Sequence, residues 1–136
     1  MKFYLDTCIW LDIIEKRGHH GEKGRLLLDR FVRKNNTIIY SDVIITELST
    51  LGYVKNEIRQ LINTTYRNIK WVQATKQQLK EAKKISKIRS IVFGDVLHAI
   101  IARDHEAEVI SRDAHFLRLK DIVRTKSPGE VLDTYA

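Results

Sequence analysis

Short apolar runs alternate along this sequence with longer segments that carry apolar residues at helical spacing. The short runs are typical of buried strands, and the segments between them are long enough to be helices. Strands separated by helices predict βαβ units, and such units form a parallel sheet with helices on both faces. The predicted strands are Phe3–Leu5, Thr37–Tyr40, Ile69–Val72 and Glu108–Ser111, with an edge strand at Ile122–Arg124.

Polar and capping residues indicate where the helices between these strands begin. Residues His19–Lys23 are expected to form a polar loop that opens the second helix. Thr75 is expected to cap a helix with four apolar core positions, and Gly94 and Asp95 open a later helix. The four core positions are Leu79, Ala82, Ile85 and Ile88.

The length and composition limit the class of protein. At 136 residues the chain is expected to be one α/β domain, residues 1–136. Its apolar runs are far shorter than the roughly 18 residues that span a bilayer, so no membrane association is expected. The single cysteine, Cys8, cannot form an internal disulfide, which favours a reducing cytoplasm.

The chain is basic, with 24 Lys and Arg residues against 17 Asp and Glu residues and a formal net charge of +7. Such a balance favours a polyanionic partner such as nucleic acid, although a merely soluble surface explains it as well. The basic residues are distributed along two segments, Lys70–Arg89 and Arg112–Lys126, and not in one tail. No disordered basic arm is therefore expected.

Four carboxylates are placed by the predicted topology at one edge of the sheet. Asp6 follows the first strand, and Glu47 lies early in the helix after the second. Asp95 opens its own helix, and Asp113 follows the strand that ends at Ser111. All carboxyl ends of parallel strands meet at the same edge, where ligands bind in open α/β sheets. Each of the four is embedded in apolar sequence, so we expect partial burial.

Each carboxylate also has a purely structural explanation. Asp6 and Asp95 can be helix N-caps, Glu47 can lie on an exposed helix surface, and Asp113 can pair with Arg112. Four such coincidences at one edge are less probable together than any one alone, so the sequence favours a functional cluster.

A cluster of carboxylates favours a hard divalent cation. Carboxylates that approach one another repel and their pKa values rise, and Mg²⁺ or Mn²⁺ with oxygen ligands removes that repulsion. Such an ion polarises a phosphate oxygen and activates water. On a basic chain, this predicts metal-dependent hydrolysis of phosphodiester bonds.

Four segments together resemble the motifs of PIN-domain ribonucleases. The segments are LDTCIWLDII, SDVIITEL, GDVLHAIIA and VISRDAHFL. In their order and spacing they are most similar to the VapC-type toxins of prokaryotic toxin–antitoxin pairs, and the resemblance covers almost the whole chain. It implies a PIN-like fold and an Mg²⁺-dependent endoribonuclease, with Mn²⁺ as a substitute.

The resemblance also implies roles for particular residues. Asp6, Glu47, Asp95 and Asp113 match the four acidic positions of the family, with Asp6 and Asp95 as the main metal ligands. Glu47 and Asp113 are expected to bind the metal through water or to orient the attacking water. Thr7 and Ser111 match small hydroxyl positions beside the site. Whether one or two metal ions bind stays open, because a fifth carboxylate has no match.

Supporting and partner roles complete the sequence-based expectations. His98 shares a helix face with Asp95. The favoured interpretation is that it packs in the core; alternatively it contacts a phosphate or orients a carboxylate. His115 is expected to pack or donate locally. The side chains expected to contact RNA are Arg112, Lys120, Arg124 and Lys126. The resemblance further implies an antitoxin that blocks the acidic site, and a homodimer formed through the helices at Val43–Ile62.

Two other functions remain open from the residues alone. A non-catalytic nucleic-acid-binding module explains the charge but not the embedded acids. A phosphoacceptor domain also gathers acids at strand ends, but it usually has an acidic pair after the first strand, and only Asp6 is present here.

Overall fold

The computed structural model describes residues 1–65 and 68–134. Its core is a five-stranded sheet with the order β3-β2-β1-β4-β5, and every neighbouring pair is parallel. The first strand is therefore central. The strands are β1 (Lys2–Leu5), β2 (Thr37–Ser41), β3 (Ile69–Val72), β4 (Glu108–Ile110) and β5 (Thr125–Lys126).

Helical segments occupy the connections between the strands. The α-helices are α1 (Thr7–Ile14), α2 (Gly18–Arg33), α3 (Asp42–Thr50), α4 (Lys55–Thr65), α5 (Lys76–Arg89), α6 (Phe93–Asp104) and α7 (Pro128–Thr134). A 3₁₀-helix at Ala114–Leu119 follows β4. None of the helices in the described parts of the chain is long and apolar enough to cross a membrane.

Helices cover both faces of the sheet, which confirms the predicted α/β architecture. Successive strand residues point to opposite faces. On one face, Phe3 stacks on Phe31 of α2 with ring centroids 4.0 Å apart. On the other face, the hydroxyl of Tyr4 lies 2.6 Å from Nδ1 of His98 in α6. The central strand is thus buried between two helical layers, and its carboxyl end is fixed in position.

Local capping explains why two of the helices begin where the sequence predicts. The Asp6 carboxylate accepts a hydrogen bond from the Thr7 amide at the start of α1. Thr75 and Gln78 form a reciprocal capping box at the start of α5. The left-handed backbone of Ser90, with φ of 55°, ends α5 and turns the chain toward α6.

Two sequence-based boundaries and two predicted core positions are wrong. The edge strand is Thr125–Lys126 and not Ile122–Arg124, because Val123 is buried beneath the turn that precedes the strand. Residues His19–Lys23 lie inside α2 and not in a loop. In α5, Ala82 is buried, but Leu79 and Ile88 are 39% and 73% exposed. The polar Gln78 is buried there instead, since its amide donates to Asp104 of α6 at 3.0 Å.

Candidate metal centre

Asp6 lies directly after the central strand, and its carboxylate is 6% exposed. Oδ1 accepts from the Thr7 amide at 2.6 Å, and Oδ2 accepts from Ser111 Oγ at 2.7 Å and from Cys8 Sγ at 3.1 Å. Ser111 follows β4, the neighbour of β1, so the parallel pairing of these strands brings the hydroxyl to Asp6. The same hydroxyl accepts from the Asp113 amide at 3.0 Å. These bonds fix Asp6 and hold Asp113 beside it.

Asp95 and Asp113 approach each other from different segments. Asp95 lies in the first turn of α6, and Asp113 precedes the 3₁₀-helix after β4. His115 Nδ1 lies 3.3 Å from Asp113 Oδ1 and 3.6 Å from Asp95 Oδ2. One potential ligand atom from each of the three residues lies within 4.8 Å of the others. Among the described residues no other group of three His, Cys, Asp or Glu side chains lies this close together, and Asp6 and Glu47 are outside the group.

Burial and two neighbouring carboxylates make Asp95 difficult to ionise. Desolvation raises the pKa of Asp95 to about 6, and the negative charges of Asp6 and Asp113 act in the same direction. His98 and His115 oppose this effect only in part. Because the charges of Asp6 and Asp113 act on Asp95, the three aspartates lie within electrostatic reach of one another.

Glu47 joins this group through a threonine and a histidine. Oε2 accepts from Thr7 Oγ1 at 2.7 Å, and Oε1 lies 2.7 Å from Nε2 of His98. A Cβ atom at Gly94 would approach Oε1 to 3.0 Å, so the glycine leaves room for Glu47 beside the start of α6. Glu47 thus lies beside the N-terminus of the helix that carries Asp95, and Thr7 separates it from Asp6.

His98 is both a core residue and an orienting residue. It is fully buried, with Tyr4 on one ring nitrogen and Glu47 on the other. Burial opposes protonation of His98, but the hydrogen bond and charge of Glu47 outweigh it, so the pKa is raised. Burial likewise opposes ionisation of Glu47, but its hydrogen bond to His98 holds the pKa below the usual value. Both directions describe a histidinium–carboxylate pair, and Tyr4 then donates to Ser41 Oγ at 2.6 Å.

Arg112 does not project toward a substrate, contrary to the sequence-based expectation. Its Nε and Nη2 donate to the two carboxylate oxygens of Asp12 at 2.6 and 2.8 Å. Asp12 is 1% exposed in α1, so this bidentate pair is structural. Asp113 therefore does not pair with Arg112. Arg124 and Lys126 lie 4.0 and 3.7 Å from the carboxylate of Glu108. Lys120 is exposed and has no ion pair among the described residues.

Sequence reasoning missed two carboxylate partners. The separation of two residues between Asp113 and His115, directly after a strand, was a local signal that His115 can approach the acids. Asp12 lies in the apolar face of α1, and an acid there required a cation from elsewhere in the chain. That cation, Arg112, is 100 residues away, so only the tertiary structure identifies it.

The donor set fits a hard divalent cation. The oxygens of Asp6, Asp95 and Asp113 are the ligand type that Mg²⁺ and Mn²⁺ prefer. Burial and the negative charges of Asp6 and Asp113 raise the pKa of Asp95, and a bound cation would favour its ionised form. The imidazole of His115 suits Mn²⁺ better than Mg²⁺ as a direct ligand, and it also serves as a hydrogen-bond partner of the two aspartates.

The fold and the site define a class of α/β protein in which acidic side chains meet at the carboxyl edge of a parallel sheet. The sequence model of the PIN domain matches residues 3–122, and the chain belongs to this family. PIN domains are generally nucleases and typically depend on a metal, which supports a hydrolytic enzyme. No curated protein sequence matches the chain.

Solved structures of toxin–antitoxin proteins share this fold. VapBC2 from Rickettsia felis, bound to a DNA fragment from its promoter, has a TM-score of 0.70 at 18% identity, over 93% of this chain and 98% of that one. VapBC-1 from nontypeable Haemophilus influenzae has a TM-score of 0.67 at 17% identity, over 95% and 99%. A toxin–antitoxin complex from Klebsiella pneumoniae has a TM-score of 0.65 at 16% identity, over 93% and 97%. At these identities the similarity establishes the fold alone.

Proposed function

We propose that this chain is a metal-dependent endoribonuclease that hydrolyses RNA phosphodiester bonds, with residues 1–136 as its single nuclease domain. The observation that carries the proposal is that Asp95 is partly buried with Asp6 and Asp113 nearby; burial first, and then the charges of these two carboxylates, raise the pKa of Asp95 to about 6. Such a cluster is costly for a fold unless a cation or a reaction uses it. The net charge of +7 supports a polyanionic substrate.

Asp6 and Asp95 would hold the cation, and Glu47 and Asp113 would bind it through water or orient the attacking water. A bound Mg²⁺ or Mn²⁺ ion polarises a phosphate oxygen and favours deprotonation of water. The protein's own groups hold the metal-binding carboxylates in position. Ser111 and the Thr7 amide fix both oxygens of Asp6.

His98 and the Thr7 hydroxyl keep Glu47 ionised and pointed toward the sheet edge. An ionised Glu47 can accept a proton from water, whereas a protonated one cannot. The Arg112–Asp12 pair ties the loop that carries Asp113 to α1, so Arg112 acts by positioning. In this arrangement Thr7, His98 and Arg112 orient the acidic side chains, and other cations bind the phosphates of the substrate.

The direct test is Asp6→Asn, assayed with single-stranded RNA and Mg²⁺ or Mn²⁺. We expect cleavage to fall by a factor of about 100 or more, because the substitution removes a charge from the cluster. Asp29→Asn on the exposed surface of α2 is a matched control and should cleave at the wild-type rate. Wild-type cleavage by the Asp6→Asn variant would contradict the site assignment. Salt-dependent RNA binding without any product would favour the non-catalytic module.

We further infer that the chain is the toxin of a type II toxin–antitoxin system and acts in the cytoplasm. The structural similarity to VapBC proteins supports this inference. The partner would be a small antitoxin that blocks the acidic site, with an arginine matched to its carboxylates. The gene beside this one provides the test: co-expression of its product should restore growth and inhibit RNA cleavage. Unchanged toxicity with every adjacent gene product would contradict the inference.

The proposed toxin would also be a homodimer. The surface proposed for the contact lies on the helices at Val43–Ile62, where Leu51 and Val54 are 60% and 56% exposed. Burial of these side chains against a second copy would remove apolar area from water.

A further inference from the structure

Helix α5 carries most of the unbalanced positive charge of the protein. Its sequence, KQQLKEAKKISKIR, contains six basic residues and one acidic residue, a formal charge of +5 against +7 for the whole chain. The lysines at 76, 80, 83 and 87 are spaced by four, three and four residues, so they form one stripe along the helix. The stripe is about 16 Å long.

These lysines differ from several other cations of the protein that are held in ion pairs. Arg112 is paired with Asp12, Lys126 with Glu108, Arg103 with Glu81 and Arg89 with Asp121. In the described parts of the chain, none of the four stripe lysines has a hydrogen bond or an ion pair, and all are exposed. Their charge is therefore available to a ligand.

An apolar groove runs beside the stripe. It has a volume of about 640 Å³ and is lined by Leu79, Lys80, Lys83, Ser86, Lys87 and Phe93. Leu79 and Phe93 are each 39% exposed, so both present apolar surface to the groove. Phe93 begins α6, and Asp95 lies in the same first turn of that helix. The groove and the acidic cluster therefore both reach the first turn of α6, on different sides of the helix.

We propose that this groove binds a single-stranded segment of RNA, with its phosphates on the lysine stripe and an unstacked base on Phe93. The inference rests on the proposed nuclease function and names the surface that delivers the strand to Asp95. Aromatic rings bind the bases of single strands by stacking, and lysines along a groove follow the backbone. In a duplex the bases are stacked on one another and unavailable to Phe93, so the groove favours single strands.

The test measures binding in EDTA, so that its readout does not depend on cleavage. The variant Lys83→Gln/Lys87→Gln is compared with Lys34→Gln/Lys70→Gln, which removes the same charge from exposed positions elsewhere. Binding of a labelled single-stranded oligoribonucleotide is followed by fluorescence anisotropy between about 50 and about 250 mM salt. Loss of two phosphate contacts should reduce the salt slope by about 1.4, which makes the defect about tenfold larger at the low-salt end. The control should keep the wild-type slope.

Substitutions of Phe93 test the stacking contact separately. Phe93→Leu should weaken binding of single-stranded RNA by about fivefold or more, and Phe93→Trp should restore it. Neither should change binding to a duplex of the same length. Equal slopes for the two lysine variants, equal binding of duplex and single strand, or full binding by Phe93→Leu would each overturn the proposal. If polyglutamate binds more tightly than the RNA and its binding depends on the stripe lysines, the groove would instead be assigned to an acidic protein partner.

The proposed groove and the proposed activity fail in different ways. If the wild type cleaves RNA in Mg²⁺ while Lys83→Gln/Lys87→Gln binds normally, the groove is wrong and the nuclease stands. If the wild type binds single strands through the stripe but produces no cleavage in Mg²⁺ or Mn²⁺, the groove stands and the nuclease is wrong.

Discussion

Asp95 is partly buried beside two other carboxylates, and its pKa is raised from 3.8 to about 6. The folded protein therefore binds a proton at Asp95 more tightly than the unfolded chain does. In the absence of metal, stability from this group is greatest below about pH 4 and falls as the pH rises to about 6. Above that pH the ionised group destabilises the fold by about 1 to 2 kcal/mol, after allowance for solvent screening.

We predict that Asp95→Asn stabilises the metal-free protein at pH 7.5 and raises Tm by several degrees. At pH 4 the difference should disappear, because Asp95 is then protonated. Thermal unfolding in EDTA at the two pH values measures the effect. Added Mg²⁺ should raise Tm of the wild type but not of the variant. A variant that is less stable than the wild type at pH 7.5 would show that Asp95 has a structural role.

His98 and Glu47 form the second electrostatic unit. The raised pKa of His98 contributes stability that is fully present below pH 6.5 and is lost as the pH rises through the raised value. The lowered pKa of Glu47 contributes stability that is present above pH 4.5 and is lost on acidification. The pair therefore contributes most to stability between pH 4.5 and pH 6.5.

We predict that His98→Gln lowers the free energy of unfolding by about 1 to 3 kcal/mol near pH 6, because it removes a buried charge-assisted hydrogen bond. The difference should shrink at alkaline pH, where the wild-type pair is lost as well. Urea unfolding between pH 6 and pH 9 measures the trend. His20→Gln, at an exposed histidine of α2 outside the site, is the control and should show no such trend. A constant deficit at all pH values would argue for packing alone.

At the scale of elements, the bidentate bond between Arg112 and Asp12 joins α1 to the loop after β4. Arg17 lies 3.8 Å from the same carboxylate, but the close contacts come from Arg112. A buried carboxylate that loses its partner is strongly destabilising, whereas removal of both charges is tolerated better. The pair thus determines how firmly the acidic loop is held.

We predict that Arg112→Gln costs about 2 to 4 kcal/mol of unfolding free energy and that Asp12→Asn/Arg112→Gln recovers part of this loss. Urea unfolding of both variants gives the coupling. Lys126→Gln, beside the same strand edge, is the control and should cost less than about 1 kcal/mol. If the double variant is as unstable as the sum of the single ones, the two side chains do not act as a pair.

The sequence predicts the strands and helices whose apolar pattern extends over several consecutive residues. The sequence predicts four of the five strands, but β5 has only two residues and follows the buried Val123, so the apolar pattern places it three residues too early. In α5 the apolar periodicity pointed to Leu79 and Ile88, whereas Gln78 occupies the core because Asp104 satisfies it. A polar core residue is visible only when its partner on another helix is known.

In the candidate site, too, the sequence predicts the positions of the residues but not the contacts between residues that are far apart in the chain. Asp6, Asp95 and Asp113 could be placed at one edge because parallel strands share a direction. The bonds that orient them join residues as far apart as Ser111 and Asp6, separated by 105 positions. Local spacing does not reveal pairs such as Asp12 with Arg112, so the sequence alone predicts that Arg112 contacts RNA.

At the scale of the whole molecule, the proposed homodimer predicts a mass of two chains in solution. We expect Leu51→Glu to convert the dimer to a monomer, because it places a charge in the proposed apolar contact. Leu26→Glu on α2, at a side chain that is 50% exposed, should leave the mass unchanged. Light scattering coupled to size-exclusion chromatography distinguishes the two. A monomeric wild type would contradict the dimer.

The central position of β1 and the late position of its neighbour β4 have a consequence for synthesis. The ribosome makes the middle of the sheet first, but the strand that supplies Ser111 and Asp113 to Asp6 is added after residue 107. A nascent chain that is still short of this point lacks Asp113 and the Ser111 hydroxyl that donates to Asp6. If the protein has the proposed toxic activity, this order of synthesis would keep the chain inactive until translation has passed β4.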